Sequence, residues 1–355
     1  MSKVDLFSSG QIGQFETPNR IVMAPMTRSR ASFDGVPSEI AVEYYAQRAS
    51  AGLIISEGTA PSAIGSGYAR TPSIYSPAQI DAWKQITKAV HAKGGHIFLQ
   101  VMHVGRIAHS ANRVTSEPPV APSAIRAAGK MWSDSQGLQD NDMPRALETA
   151  EISGVISELG QAASNAMEAG FDGVELHAAS GYLPMQFLST GSNRRTDGYG
   201  GSVKNRIRFV MEGLDAMVSA TGSPSKVGIK ISPAMPFNDI QDDDPVETYS
   251  TLTKAVASLE LAYLHVMKSA PLPNILDLLR PLYKGTLLAG GGFGLDTGNA
   301  TLADGLADFI VYGQLYLANP DLPERFFKGA PLTAADPSTF YTPGPKGYTD
   351  YSVAL

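Results

Sequence analysis

Gly173-Val-Glu-Leu-His177-Ala-Ala-Ser180-Gly-Tyr182-Leu183 is the stretch that decides how this chain folds. Its first half is a short apolar run, and it stops on a histidine, a serine and a tyrosine. It therefore reads as a buried strand whose end presents polar groups. Seven other segments read the same way: 21–26, 53–57, 97–101, 227–232, 263–267, 286–289 and 309–312. Runs that are apolar almost throughout suit parallel strands covered on both faces, rather than the alternation of a half-exposed sheet. Between them lie amphipathic helical patterns over 77–93, 151–169, 205–220 and 245–259. Gly94 and Gly170 follow two of these, where a left-handed helix cap is expected.

Eight strand–helix units in 355 residues predict an α/β fold, a single (β/α)8 TIM barrel domain over 1–355. The first twenty residues, with Gly10, Gly13 and Pro18, predict a small hairpin capping the barrel bottom. Between the third and fourth strands, 104–147 is rich in Pro, Ser, Ala and Asn. A structureless connection of that length is uncommon, so a lid insertion with some structure of its own is expected.

Composition narrows the chemistry. A net charge of -6 with scattered basic residues argues against a nucleic-acid or anionic-membrane partner. No run approaches the ~18 apolar residues of a membrane span, and the opening residues lack a signal-peptide core, so a cytoplasmic protein is expected. With no cysteine, thiolate nucleophiles, thiolate zinc sites and cysteine-held iron-sulfur clusters are excluded. Redox chemistry would need an organic cofactor. The acidic run Asp242-Asp-Asp244 beside Pro245 reads as a solvated loop, and no metal is assigned.

In a TIM barrel the active site lies at the C-terminal strand ends. Pro25, Met26, Thr27, Ala60, Gln100, Met102, His103, His177, Ser180, Tyr182, Lys230, Lys268, Gly290 to Gly292, Gly313 and Gln314 collect there. The set offers amides and hydroxyls for a heterocycle edge, one cation, His with Tyr for polarisation and proton transfer, and glycine loops after strands seven and eight, where backbone N–H groups can approach a phosphate. A glycine triplet alone equally suits a turn, and a lone histidine at a strand end is more often a lip or core residue than a catalytic one. No segment has the G-x-G-x-x-G or Walker A spacing.

Several motifs resemble the old yellow enzyme family, the FMN-dependent ene-reductases, from Leu6 to Tyr351. They include Asn19-Arg-Ile-Val-Met-Ala-Pro-Met-Thr-Arg28, Gln100-Val-Met-His-Val-Gly-Arg106, the His177 to Tyr182 segment with Gln186-Phe-Leu188, Ala318-Asn-Pro-Asp-Leu322 and Gly347-Tyr-Thr-Asp-Tyr351. The resemblance, N-ethylmaleimide reductase-like in kind, implies FMN as cofactor and NADPH or NADH as reductant. The implied substrate is a small activated alkene such as an enone, maleimide or nitroalkene. Hydride would pass to flavin N5 and on to the alkene. Thr27 would bond the flavin carbonyl beside N5, and Ala60 and Gln100 would meet the pyrimidine edge. Pro25, Met26, Lys230, Gly291, Gly292, Gly313 and Gln314 would complete the cofactor site. His177 would hold the activating oxygen, Tyr182 would protonate the substrate carbon, and Ser180, Tyr68, Met102 and Tyr351 would line the substrate pocket. A monomer or small homo-oligomer is expected.

The sequence departs from the pattern in three places. Ser180 stands where the family has His or Asn. Lys230 stands for Arg near flavin N1, keeping a charge but losing the planar fork. Gln314 stands where a phosphate-binding Arg is usual, a loss of about 1.5 to 3 kcal/mol of charge-assisted hydrogen bonding. These changes leave a second reading open, a flavin-independent isomerase, cyclase or lyase using His177 and Tyr182 in a modified pocket.

Overall fold

The structure is a computed structural model describing residues 4–353; residues 1–3 and 354–355, the ends of the expected 1–355 domain, lie outside the described residues. Eight parallel strands close on themselves in chain order. They are β1 (Ile21–Met23), β2 (Leu53–Ile55), β3 (Ile97–Val101), β4 (Gly173–Ala178), β5 (Val227–Ile231), β6 (Tyr263–Met267), β7 (Leu287–Gly290) and β8 (Phe309–Tyr312). The ring closes where Tyr312 of β8 stands opposite Met23 of β1. Helices follow each strand: α1 (Ile40–Ala46), α2 (Pro77–His91), α3 (Thr149–Glu168), α4 (Arg208–Thr221), α5 (Pro245–Ala257), α6 (Ile275–Leu279), α7 (Leu295–Ala303) and α8 (Leu322–Lys328). The architecture is the expected (β/α)8 barrel.

Strand alternation sorts the residues into layers. Val174 and Leu176 of β4 and Val227, Ile229 and Ile231 of β5 join Leu159, Phe209 and Leu214 in the apolar layer between barrel and helices. Fully burying a leucine such as Leu176 is worth about 1.5 to 3 kcal/mol. The alternate residues turn inward. At the bottom they are apolar, with Val22, Leu53, Ile55, Phe98, Tyr263, Leu288 and Phe309 packed together. The hairpin Gly10–Ile12 and Phe15–Thr17 closes this end, adding Ile12 to the same cluster. Toward the top the inward residues become polar, and the site begins there.

Local chemistry fixes the boundaries. Ser76 and Gln79 form a reciprocal capping box that starts α2. Gly94 and Gly170 follow α2 and α3 with φ of 75° and 83°, the left-handed conformation expected of them. The helix expected over 205–220 is divided, a short turn Val203–Arg206 preceding α4. β1 and β2 end earlier than expected, β1 just before Ala24-Pro25, where a residue preceding proline and then a missing N–H interrupt the ladder. The 104–147 insertion has structure of its own: Val120–Ala121 pairs with Arg145–Ala146, and Lys130–Ser133 forms a hairpin with Gly137–Asp140.

Candidate active site

The register of β4, β5 and β6 builds the floor of the site. His177 lies beside Lys230, and Lys230 beside His265, so the three face the barrel interior together. Glu175 is one pleat below His177 and has no exposed surface. Its carboxyl accepts from Gln100 Nε2 at 2.7 Å and from His265 Nδ1 at 2.9 Å. These bonds orient both partners. Gln100 keeps its amide oxygen free, and His265 keeps a buried Nε2 with no partner.

Lys230 is 9% exposed, and its ammonium has no hydrogen-bond acceptor among the described residues. Burial lowers its pKa, partly countered by Glu175. His177 is held well below the ordinary histidine value, first by burial and then by the charges of Lys230 and His265, so its imidazole is neutral at neutral pH. Its Nδ1 is buried without a partner.

After β4 the chain turns sharply. Ser180 has a φ of 55°, its N–H donates to Ser232 Oγ at 2.9 Å and its carbonyl accepts from Asn238 Nδ2 at 2.8 Å. The turn delivers Tyr182, whose ring meets His177 edge-on with centroids 4.9 Å apart. The Tyr182 hydroxyl donates to Tyr68 Oη at 3.1 Å. Burial pushes the Tyr182 pKa well above 10, so it is protonated at neutral pH.

Two cavities open over this layer. One, about 450 Å³, is lined by Pro25, Met26, Lys230, His265, Gly290 to Gly292, Phe293, Gly313 and Gln314. The other, about 810 Å³, is lined by Thr27, Ser29, Tyr68, Arg70, Met131, Trp132, Tyr182 and Tyr341. The loop after β1 runs from the first cavity into the second, changing sides between Met26 and Thr27. Most residues expected at the cofactor are thus brought to one cavity, and the tyrosine pair to the other.

Some expected residues are placed elsewhere. Met102 is 2% exposed and packs beneath Tyr182, its sulfur filling the space a side chain at Gly58 would need. Ala60 has its N–H engaged by Pro72 and its carbonyl by Ile74 N–H, leaving its methyl as the group free to meet a ligand. Tyr351 does not line the cavity, and its hydroxyl accepts from Asp336 N–H. Tyr341, ten residues earlier, stands in the wall instead.

The wall also contains groups that carry no periodic signal. Arg70 donates to Ser29 O at 2.9 Å and Tyr341 O at 2.8 Å, and pairs with Asp134 of the lid hairpin's turn. Arg28 and Arg30 grip the C-terminal segment through the carbonyls of Phe340 and Gly347, and of Thr339, Gly344 and Lys346. Beneath them Glu57 accepts the Arg28 N–H at 3.0 Å, and burial pushes its pKa up to about 7.

The residues of the smaller cavity fit a flavin mononucleotide. Gly291 and Gly292 have φ of 117° and 82°, and Gly292 has open space where a Cβ would stand, a backbone that can approach a phosphate closely. Lys230 supplies a cation without an ion-pair partner among the described residues, and His265 Nε2 is a buried polar atom without a partner. A polar heterocycle would satisfy such groups.

Residues 5–333 match the NADH:flavin oxidoreductase / NADH oxidase family. The chain belongs to that family. This flavin oxidoreductase is 42% identical over 360 residues to 12-oxophytodienoate reductase 1 of Oryza sativa subsp. japonica, spanning 98% of this chain and 93% of that one. Morphinone reductase in complex with tetrahydroNAD superposes with a TM-score of 0.94 at 44% identity, over 99% and 98% of the two chains. The old yellow enzyme homologue from Zymomonas mobilis gives 0.96 at 40% identity, over 99% and 100%. The enzyme is an FMN-dependent oxidoreductase that reduces activated carbon–carbon double bonds with a nicotinamide coenzyme. Among the described residues no helix is long and apolar enough to cross a membrane, and no group of three or more His, Asp or Glu is placed to hold a metal ion.

Proposed function

We propose that the larger cavity takes a small enone, maleimide or nitroalkene, with His177 and Ser180 at its activating oxygen and Tyr182 as proton donor. The chemistry FMN supplies when bound is hydride transfer, in from NADPH or NADH and out from N5 to the alkene. Pro25, Met26, Thr27, Gln100, Lys230, Gly291, Gly292, Gly313 and Gln314 would hold it, with Ala60 contributing through its methyl. Tyr68 and Tyr341 flank the substrate, and Met102 supports Tyr182 from below.

The observation that carries this reading is the pair His177 and Tyr182 in ring contact, with the Tyr182 hydroxyl held by Tyr68. A neutral imidazole donates one hydrogen bond to an oxygen that gains negative charge as hydride arrives. A phenol held this strongly protonated gives up its proton only to a strongly basic carbon. Once it does so, Tyr68 can reverse its own O–H and donate to the phenolate.

Tyr182→Phe tests the assignment. General-acid catalysis is worth about 10² to 10⁴ in rate, so oxidation of the reduced flavin by an enone should slow by about 100-fold or more, with flavin reduction by NADPH unchanged. An unaffected oxidative step would remove Tyr182 from the proton transfer. The reading further takes the chain as one barrel domain, cytoplasmic, acting as a monomer or small homo-oligomer without nucleic-acid partners; its net charge of -6 and scattered basic residues support the last point.

A further inference from the structure

The phosphate of FMN carries close to two negative charges, and the side chain that follows β8 in the cavity wall, at the first position of the short helix Gln314–Ala318, is the uncharged Gln314. Lys230 is the only formal cation among the residues lining the smaller cavity, and it lies between His177 and His265 in the barrel floor. The glycines that let backbone approach an anion are on the adjoining loop, after β7. That loop has a second cation beside it.

Lys268 follows β6 directly, and its N–H donates to Gly290 O at 2.9 Å. A side chain at Gly291 would meet Lys268 Cβ at 2.9 Å, so the lysine stem lies against the glycine run itself. Its ammonium stands 4.6 Å from the centroid of Phe293, and Phe293 lines the cavity. Lys268 is half-buried and makes no ion pair or side-chain hydrogen bond among the described residues. An aromatic face holds an ammonium in place while leaving its N–H donors free. The cation is therefore held at the glycine loop without a counter-ion.

We propose that Lys268 is the phosphate-binding cation of this cofactor site, held ready by Phe293 and substituting for the charge that Gln314 lacks. The proposal rests on FMN as the occupant. As a point charge on a flexible stem, Lys268 would meet the phosphate from the β6 side, while the N–H groups of Gly291, Gly292 and Gly313 approach from β7 and β8.

Lys268→Met keeps an unbranched chain over Phe293 and removes only the charge. Purified holoenzyme is dialysed against graded FMN, and in parallel against riboflavin, which has the same ring without the phosphate; bound flavin is read by absorbance. FMN affinity should fall about tenfold or more, riboflavin affinity should be unchanged, and Gln314→Arg in the Lys268→Met background should restore FMN binding. Equal losses for both flavins would make Lys268 a packing residue, and no loss for FMN would leave it without a role at the phosphate. Either result overturns the proposal while leaving FMN as cofactor. A wild-type protein that held neither flavin would overturn the occupant itself, and the proposal with it.

Discussion

Glu57→Gln should change how stability depends on pH, because the carboxyl it removes is buried against the Arg28 N–H and the Tyr45 hydroxyl. Burial raises the Glu57 pKa from the ordinary 4.5 to about 7, against the opposing effects of the Arg28 N–H and charge, the Tyr45 hydroxyl and Arg30. The folded chain thus holds this proton more tightly than the unfolded chain, so stability falls as pH rises from about 4.5 to about 7 and levels off above. A rise of that size corresponds to about 3 kcal/mol, of which about 2.5 kcal/mol is lost between pH 5 and pH 8. With ~2.1 cal/mol/K of unfolding entropy per residue, this is a melting shift of about 3 °C for a chain of this length. Glutamine retains an acceptor for Arg28 N–H and an amide for Tyr45 Oη, and has nothing to titrate. The assay is thermal melting of wild-type and Glu57→Gln holoenzyme from pH 5 to pH 8, read as the difference between the two so that flavin binding and other titrations cancel. The variant should gain about 3 °C on wild type across the range. A difference independent of pH would refute the raised pKa and the dry environment it implies.

Ser180→Asn should stabilise the protein by about 0.5 to 1 kcal/mol in thermal melting, because Ser180 has a φ of 55° and asparagine tolerates left-handed backbone better than serine. Its amide also adds a donor at the activating oxygen, so kcat/KM for an enone should rise; a drop in both would mean that the added amide clashes. Gly58→Ala would place a methyl 2.5 Å from the Met102 sulfur. A loss of about 1 to 3 kcal/mol is expected, with slower enone reduction as Met102 moves against Tyr182, and an unchanged melting temperature would show that the flexible thioether simply yields.

The barrel was legible because parallel strands covered on both faces must be apolar almost throughout, and eight such runs separated by helical patterns leave few alternatives. The floor residues were legible for a related reason. A polar side chain at the end of a buried run, such as His177 or Lys230, is costly unless it meets a polar partner, so it points to a place where a ligand binds. The upper wall was not. Tyr341 sits in an irregular segment held by arginine donors to backbone carbonyls, and Arg28 bonds Gly347 across more than 300 residues. Contacts of that kind leave no period in the sequence. The motif resemblance that pointed to Tyr351 carried a residue type to the right segment, and the fold of that segment turned a different tyrosine into the cavity. Ala60 shows the same limit, since its N–H is taken by Pro72 through a pairing that composition does not announce.

The polar floor acts as one electrostatic unit, which explains how the sequence tolerates its departures. Three groups able to carry positive charge, His177, Lys230 and His265, stand side by side in a dry barrel with Glu175 as the carboxyl beneath them. Three charges there would repel strongly, and burial already penalises each. Both histidines have lowered pKa values, which leaves Lys230 as the cation. Keeping the charge on Lys230 places it in the floor of the cavity where reduced flavin would gain negative charge. In its proposed role, a neutral His177 would give the substrate oxygen a hydrogen bond without a second fixed cation competing for that negative charge. Replacing arginine by lysine at 230 preserves this division of labour, because it depends on where the charge lies more than on a bidentate fork. A phosphate is different, since three oxygens need several directed donors. Backbone N–H groups of the glycine loops supply such donors, and the proposed role of Lys268, which lies against Gly291, adds the charge that Gln314 lacks.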